Sequence, residues 1–136
     1  MPCRLRLVTS LVIIVALSPF AARGEEEKKK PVEPPKISLE EFEKRKAEPN
    51  TVVLDVRSEE EYVKGHIAGA VNLPINAKDF DERTKQLDKE KTYLVHCQAG
   101  VRSERACKKM NGVVPKMFNF AGGMNEWKKA GKPVEE

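Results

Sequence analysis

The sequence predicts an α/β domain with a largely parallel central sheet that is flanked by helices on both faces. Residues 52–56 and 91–96 are centred on continuous apolar runs (VVL and YLV), which is typical of strands covered from both sides. Segments with helix-start patterns precede and follow these runs, so strands alternate with helices along the chain. That alternation favours parallel strands joined by helical crossovers.

The first elements follow from two capping boxes. Ser38 and Glu41 have the spacing that opens a helix, and Pro49 requires this helix to end before it. Ser58 and Glu61 repeat the spacing after the first strand and predict a short second helix. Residues 70–74 then predict a short strand that is closed by proline.

The later elements are predicted from apolar patterning and from terminating glycine. Residues 79–87 are weakly helical, and residues 103–110 predict a helix directly after the second buried strand. Residues 116–120 predict a further short strand. Residues 124–130 predict a last helix, which Gly131 closes.

The first 24 residues have the features of a signal peptide. Arg4 and Arg6 provide a positive start, and the apolar core at residues 7–17 is short for a membrane span. Small residues near Gly24 predict cleavage after it, and an uncleaved N-terminal anchor is the alternative. Cleavage implies a periplasmic or secreted protein with no membrane association afterwards.

Residues 25–35 form a charged, proline-containing stretch that predicts a mobile tether, and residues 36–136 predict one compact domain. The full chain carries a net charge of +4, but its first 24 residues contain three arginines and no acidic residue. The rest holds 22 basic and 21 acidic residues. This near-neutral balance and the scattered aromatic residues argue against a nucleic-acid partner.

Two cysteines follow the predicted cleavage point, Cys97 and Cys107. Two cysteines do not make a disulfide framework, and with the dispersed His66 and His96 they lack the spacing of metal ligands. Cys107 falls within a predicted helix, where we expect a small buried residue, with a redox-resolving thiol as the alternative. We expect His66 to cap or fill a turn.

The run Cys97-Gln98-Ala99-Gly100-Val101-Arg102-Ser103 lies where a buried strand leads into a helix. Backbone N–H groups at a helix start have no partners within the helix, and they favour a negative group. The nearby arginine acts in the same direction, so both favour a thiolate at the cysteine. Asp55 also ends a predicted central strand, and ligands bind beyond the carboxyl ends of such strands.

Several segments together resemble the rhodanese, or sulfurtransferase, domain over residues 37–134. The resemblance implies a rhodanese-like fold. With the N-terminal segment, the chain is most similar to small single-domain periplasmic thiosulfate sulfurtransferases. The segments that carry the resemblance are residues 54–57, 61–62, 65–74, 97–103, 121–127 and 131–134.

The resemblance implies that the Cys97 thiolate takes the outer sulfur of an anionic donor such as thiosulfate and forms a persulfide. Cyanide, a small thiol or a protein thiol then accepts this sulfur. Arg102 would neutralise the donor, and Gly100 would permit close backbone approach. No metal or organic cofactor is required. The backbone N–H groups expected to cradle the persulfide belong to Gln98, Ala99, Gly100, Val101 and Arg102.

Other residues are expected to support the loop. Asp55 and Arg57 would brace it through hydrogen bonds or an ion pair. Ser103 could bond the cysteine sulfur or cap its helix, and we favour the cap. His96 should point to the opposite face of its strand from Cys97, which makes it a bystander and not a general base.

Two other functions remain open. A phosphatase or arsenate reductase would use a cysteine and an arginine separated by five residues, whereas only four separate Cys97 from Arg102. A shorter loop suits a single sulfur better than a tetrahedral oxyanion. A persulfide carrier, or sulfur-relay partner of another protein, would use the same cysteine without turning over small acceptors.

Overall fold

The computed structural model describes residues 33–136. The predicted signal peptide and most of the predicted tether therefore lie outside the described residues. Within residues 33–136, no helix combines the length and the apolar character that a membrane crossing requires.

Five helices and six strands make up the described part of the chain. Their type and order agree with the prediction, apart from two short strands that it did not include. In chain order they are α1 (Leu39–Lys46), β1 (Thr51–Asp55), α2 (Glu59–Val63), β2 (His66–Ile67), β3 (Val71–Asn72), α3 (Phe80–Lys85), β4 (Thr92–His96), α4 (Val101–Met110), β5 (Met117–Phe120), α5 (Gly123–Lys129) and β6 (Val134–Glu135).

The central sheet has four strands in the order β3-β1-β4-β5, and all three pairings are parallel. This confirms the predicted α/β class. β1 and β4 are the two central strands, and their last residues, Asp55 and His96, lie side by side in the register. The two strands therefore end at the same edge of the sheet.

Each face of the sheet is covered by its own apolar cluster. On one face Leu54 and Val95 pack with Ala106 and Met110 of α4. A second cluster on the other face contains residues of α1, β1, β4, β5 and α5, among them Phe42, Leu94, Phe120, Met124 and Trp127. Helices on both faces explain why the central strands are apolar without alternation.

The two predicted capping boxes have different outcomes. At α2 the Ser58 side chain accepts from the Glu61 amide, and the Glu61 carboxylate accepts from the Ser58 amide, so this box is confirmed. At α1 Ser38 also accepts from the Glu41 amide, but the Glu41 carboxylate lies 2.7 Å from Arg45 Nε. The first helix is thus capped by serine, while its glutamate forms an ion pair within the helix.

Strands β2 and β6 form a separate antiparallel pair that the sequence did not predict. It joins His66 to Glu135, so His66 lies in a short strand and does not fill a turn. Its ring Nδ1 lies 3.0 Å from the Tyr62 carbonyl oxygen near the end of α2, which agrees with the capping alternative. The His66 ring also stacks on Tyr62, with ring centroids 3.9 Å apart. This pairing holds Val134 and Glu135 beside the segment that follows α2.

The last residue of the predicted tether, Pro35, is hydrogen-bonded to β5. The Asn119 amide donates to the Pro35 carbonyl, and the Ile37 amide donates to the Asn119 carbonyl. Pro35, the last residue assigned to the tether, thus pairs with the edge of β5.

Candidate active site

Cys97 follows β4 directly and lies at the edge of the sheet where β1 and β4 end. Its side chain is 1% exposed and belongs to the cluster on the α4 face. Parallel sheets bind ligands at this edge, because the loops after neighbouring strands meet there. The fold therefore places the one cysteine with a glycine-containing loop where a site is expected.

The Cys97 sulfur faces several hydrogen-bonding groups. The Gly100 amide donates to Sγ at 3.0 Å, and the Cys97 thiol donates to the Ser103 hydroxyl oxygen 3.6 Å away. When the thiol ionises, the Ser103 hydroxyl can turn from the Gly100 carbonyl and donate to the sulfur. Burial acts to raise the pKa of the thiol, but the Ser103 hydroxyl and the amides of Ser103, Gly100 and Ala99 outweigh it. The pKa of Cys97 is therefore lowered, and the thiolate is favoured.

Ser103 is not the helix cap that the sequence analysis favoured. α4 begins at Val101, two residues earlier than predicted, and its N-cap is Gly100. Ser103 is consequently buried in the first turn, where its hydroxyl donates to the Gly100 carbonyl at 3.0 Å. From this position it reaches the sulfur, which was the alternative interpretation.

The amino end of α5 holds the cysteine loop. The amides of Met124 and Asn125 donate to the carbonyls of Cys97 and Gln98, at 3.0 and 3.1 Å. Because these carbonyls point towards α5, neighbouring loop amides are free to face the sulfur. Gly123 has a φ of +57°, and a Cβ there would collide with the Cys97 carbonyl oxygen.

Gly100 shows a similar constraint on the other side of the loop. Its φ is +95°, and a Cβ would lie 2.5 Å from the Ala121 carbonyl oxygen. The backbone of Gly100 thus lies so close to Ala121 that a side chain would not fit, while its predicted close approach to the donor stays a prediction. Sequence reasoning missed the contact between this loop and α5, although the glycine pair after Ala121 was a usable pattern for it.

Asp55 and Arg57 form a buried ion pair next to the loop. Arg57 donates to the Asp55 carboxylate from Nε at 3.1 Å and from Nη2 at 2.8 Å, and both side chains are at most 3% exposed. The same guanidinium donates to the Gly65 carbonyl at 2.7 Å and to Gln98 Oε1 at 3.3 Å. The pair therefore connects β1, the end of α2 and the cysteine loop.

Arg102 is engaged by a carboxylate. Its two terminal nitrogens lie 2.6 and 2.8 Å from the two carboxylate oxygens of Glu61, a residue the sequence analysis did not assign to the site. The Arg102 hydrogen bonds are the main cause that lowers the pKa of Glu61 to about 2, so this carboxylate is charged at neutral pH. The positive charge of Arg102 is thus already compensated by the negative charge of Glu61.

The remaining loop residues differ in exposure. The Gln98 side chain bridges Arg57 and Asn125, whose oxygen accepts from Gln98 Nε2 at 2.6 Å. Ala99 is exposed, and Val101 is 69% exposed, so both lie on the outer surface of the loop. Of the residues predicted to cradle a persulfide, Ala99 and Gly100 direct their amides at the sulfur. The amide of Ser103, which was predicted only to support the loop, is a third.

His96 is buried on the sheet face opposite Cys97, as its strand position predicted. Its ring packs edge-on against Phe42, with centroids 6.4 Å apart, and Nδ1 lies 3.2 Å from the Cys97 carbonyl oxygen. Burial lowers the pKa of His96, although the Asp55 carboxylate opposes this, so the ring is neutral at neutral pH.

Cys107 lies further along α4 and is also 1% exposed. Burial raises the pKa of its thiol to about 12, and the negative charges of Cys97 and Glu104 add to the effect. The expected role of a small buried residue matches this environment. Among residues 33–136, no group of three or more histidine, cysteine or acidic side chains is arranged to hold a metal.

The fold and site define an α/β domain in which a cysteine follows a central strand and faces backbone amides at the start of a helix. The model of the rhodanese-like domain matches residues 38–130, and the chain therefore belongs to the rhodanese-like domain family, whose members include sulfurtransferases and sulfur carriers. Its relatives in Bacillus subtilis include "Putative sulfurtransferase YtwF", 36% identical over 67% of this chain and 86% of the relative.

Other similar proteins support the same assignment. "Putative sulfur carrier protein YrkF" of Bacillus subtilis is 35% identical over 68% of this chain, which spans only half of that relative. Among solved structures, a rhodanese-related protein of Thermoplasma volcanium has a TM-score of 0.66 and 30% identity, covering 74% of this chain and 97% of that one. The human single-domain sulfurtransferase TSTD1 has a TM-score of 0.59 and 26% identity, covering 70% and 96%.

Proposed function

We propose that this protein transfers a sulfane sulfur through a persulfide on Cys97, from an anionic donor such as thiosulfate to cyanide or a thiol. The observation that carries the proposal is the set of donors around Cys97 Sγ, which lowers the pKa of a buried thiol. A persulfide is also an anion, and the same amides can hold it.

The reaction proceeds in two half-reactions that balance without a cofactor. The Cys97 thiolate attacks the outer sulfur of thiosulfate, and the bond to the inner sulfur breaks, so sulfite leaves with the electron pair. The cyanide carbon then attacks the terminal sulfur of the persulfide. Thiocyanate leaves, and the electron pair of the broken S–S bond returns to Cys97 as the thiolate.

A persulfide carrier, which passes its sulfur to a protein thiol, is the second candidate. The likeness to YrkF favours it, and so does Val101, an apolar side chain that is 69% exposed next to the cysteine loop. A carrier acquires sulfur from the donor in the same first step. It differs in the second step, because small acceptors remove the sulfur slowly.

A phosphatase or arsenate reductase fits the site less well. Such an enzyme needs its arginine to bind a tetrahedral oxyanion, whereas Arg102 is held at two points by Glu61. Four residues between Cys97 and Arg102 also make a shorter loop than the five of that class. Hydrolysis of a phosphate ester that exceeds thiocyanate formation would support this alternative instead.

The cellular location follows from the N-terminal segment alone and remains part of the proposal. A cleaved signal peptide over residues 1–24 would place the domain in the periplasm or outside the cell. Fractionation of cells that express the full chain, with the mature N-terminus read by mass spectrometry, tests this.

Intact-mass analysis tests the proposed function directly. The reduced protein is treated with thiosulfate, and we expect a gain of one sulfur atom that peptide mapping places on Cys97. Cyanide should remove this sulfur and release one equivalent of thiocyanate. The matched control is Cys107→Ser, which should load normally; a wild-type protein that acquires no sulfur at Cys97 would contradict the proposal.

A further inference from the structure

The ion pair between Glu61 and Arg102 is fixed from both sides. The guanidinium donates from its two terminal nitrogens to the two carboxylate oxygens, at 2.6 and 2.8 Å, in an end-on, bidentate arrangement. The Glu61 carboxylate also accepts from the Ser58 amide at 3.1 Å and from the Ser58 hydroxyl at 3.0 Å. Glu61 is thus held at the start of α2, and it in turn fixes the Arg102 side chain.

The charges near the cysteine loop are balanced. Arg57 is paired with Asp55 and Arg102 with Glu61, while Gln98 and the residues up to position 101 carry no charge. Arg102 lies in the first turn of α4, two residues after Gly100, whose amide donates to the Cys97 sulfur. The positive charge of Arg102 can therefore act on a donor that approaches the sulfur, but Glu61 compensates it.

We propose, on the basis of sulfur transfer at Cys97, that Glu61 is a positioning residue that sets the donor charge the site prefers. By pairing with Arg102 it disfavours a dianionic donor such as thiosulfate relative to a monoanionic donor. A dianion must either bind beside the Glu61 carboxylate or displace it from Arg102, and each costs free energy. A monoanion meets a smaller repulsion.

The charge of Glu61 is not needed for its structural role. A capping box accepts glutamine as well as glutamate at this position, because the side-chain oxygen receives the Ser58 amide in either case. Glu61→Gln therefore keeps the cap of α2 and the length of the side chain. It removes the negative charge that faces Arg102, which leaves the guanidinium free to attract an anion.

Thiosulfate and methanethiosulfonate form a suitable pair of donors. Each presents an outer sulfur bonded to a tetrahedral sulfur, but a methyl group replaces one charged oxygen in the second, which makes it a monoanion. Cys97 attacks the outer sulfur of either, and sulfite or methanesulfinate leaves with the electron pair. In a double-displacement reaction kcat/KM for the donor reports only this half-reaction, so cyanide can serve as the acceptor throughout.

We expect Glu61→Gln to raise kcat/KM for thiosulfate about fivefold, which is the upper range for a partly exposed charge pair. The value for methanethiosulfonate should change by less than about twofold. The gain with thiosulfate should decrease as ionic strength rises, because salt screens the attraction of Arg102 for the dianion. A defect in folding alone would not produce this dependence on donor charge.

Two further variants keep the test decisive. Glu60→Gln removes the same charge from an exposed neighbour on α2 and should leave the ratio of the two kcat/KM values unchanged. Arg102→Gln leaves Glu61 uncompensated, so the ratio should move against thiosulfate. In an Arg102→Gln background, Glu61→Gln should relieve that repulsion but should no longer raise kcat/KM for thiosulfate above the wild-type value.

The outcomes distinguish the proposed role of Glu61 from the proposed sulfur transfer at Cys97. Equal effects of Glu61→Gln on both donors, together with an unchanged ratio in Arg102→Gln, would overturn the role of Glu61 while leaving sulfur transfer intact. Failure of wild-type protein to acquire sulfur from either donor would instead overturn the proposed function.

Discussion

Cys97 and Cys107 are equally buried, at 1% exposure each, yet the pKa values of their thiols are shifted in opposite directions from that of an ordinary cysteine. The pKa of Cys97 is lowered, whereas burial raises the pKa of Cys107 to about 12. Cys97 faces amides and the hydroxyl of Ser103. Cys107 lies in the same apolar cluster as Cys97, but burial is the main influence on the pKa of its thiol. Local hydrogen-bond donors, and not exposure, decide which buried cysteine can react.

The contrast originates in one helix. α4 runs from Val101 to Met110, and its amino end supplies N–H groups that have no partners within the helix. Cys97 lies just before this end and receives them. Cys107 lies in the interior of the same helix, where amides are used by the helix itself.

Replacing Cys97 with serine should have the largest effect. A hydroxyl is not ionised at neutral pH, so no nucleophile remains. We expect thiocyanate formation below about 1% of the wild-type rate. A coupled assay with thiosulfate and cyanide measures it, and activity near the wild-type level in Cys97→Ser would break the distinction between the two cysteines.

Gly123→Ala should disrupt the cradle. A Cβ at this position would collide with the Cys97 carbonyl oxygen and displace the loop. We expect kcat/KM to fall about a hundredfold, because small displacements of reacting groups are costly. The strained φ should also lower the free energy of unfolding by about 1–3 kcal/mol in denaturant titrations.

Gly112→Ala is the matched control for that variant. Gly112 also has a positive φ, +82°, but no atom lies within 4 Å of the position its Cβ would take. It should lose a comparable amount of stability and keep its activity. An equal loss of activity in both variants would show that backbone strain, and not the cradle, explains the effect.

Ser103→Ala should weaken the hydrogen bonding of the thiolate. Without the hydroxyl 3.6 Å from the sulfur, the pKa of Cys97 rises towards that of an ordinary thiol. The thiolate fraction at neutral pH then falls, and we expect about tenfold lower kcat/KM there. Measured across pH, the variant should approach wild-type activity on the alkaline side; a profile that keeps its wild-type midpoint would contradict the role of Ser103.

Cys107→Ala should have the smallest effect. The side chain packs in the core, so its loss should lower the free energy of unfolding by about 1 kcal/mol. Activity should stay within about twofold of wild type. A large loss of turnover that reductant restores would favour the redox-resolving role for Cys107.

The sequence predicted the sheet because its central strands are unusually apolar. Runs such as VVL in β1 and YLV in β4 fit parallel strands covered on both faces, and this in turn placed Cys97 at the edge of the sheet. The pair β2–β6 was missed, since two residues per strand show no periodicity and 68 positions separate His66 from Val134.

The candidate site was predicted less completely. The positions of Cys97 and Gly100 in the site could be predicted from local sequence, because both lie in one short run between a strand and a helix. Arg102 was expected to face the donor, and its partner Glu61 lies 41 positions away in the chain. Ser103 was placed at the cap because the predicted start of α4 was two residues late, and an error of two residues changes what a side chain faces.

Alkylation of the two thiols by iodoacetamide across pH, resolved by peptide mass spectrometry of the full chain, tests the central claim most directly. We expect the rate at Cys97 to titrate at a lower pH than that of a free cysteine, while Cys107 stays unreactive throughout. A midpoint for Cys97 at or above that of the free thiol would contradict the account.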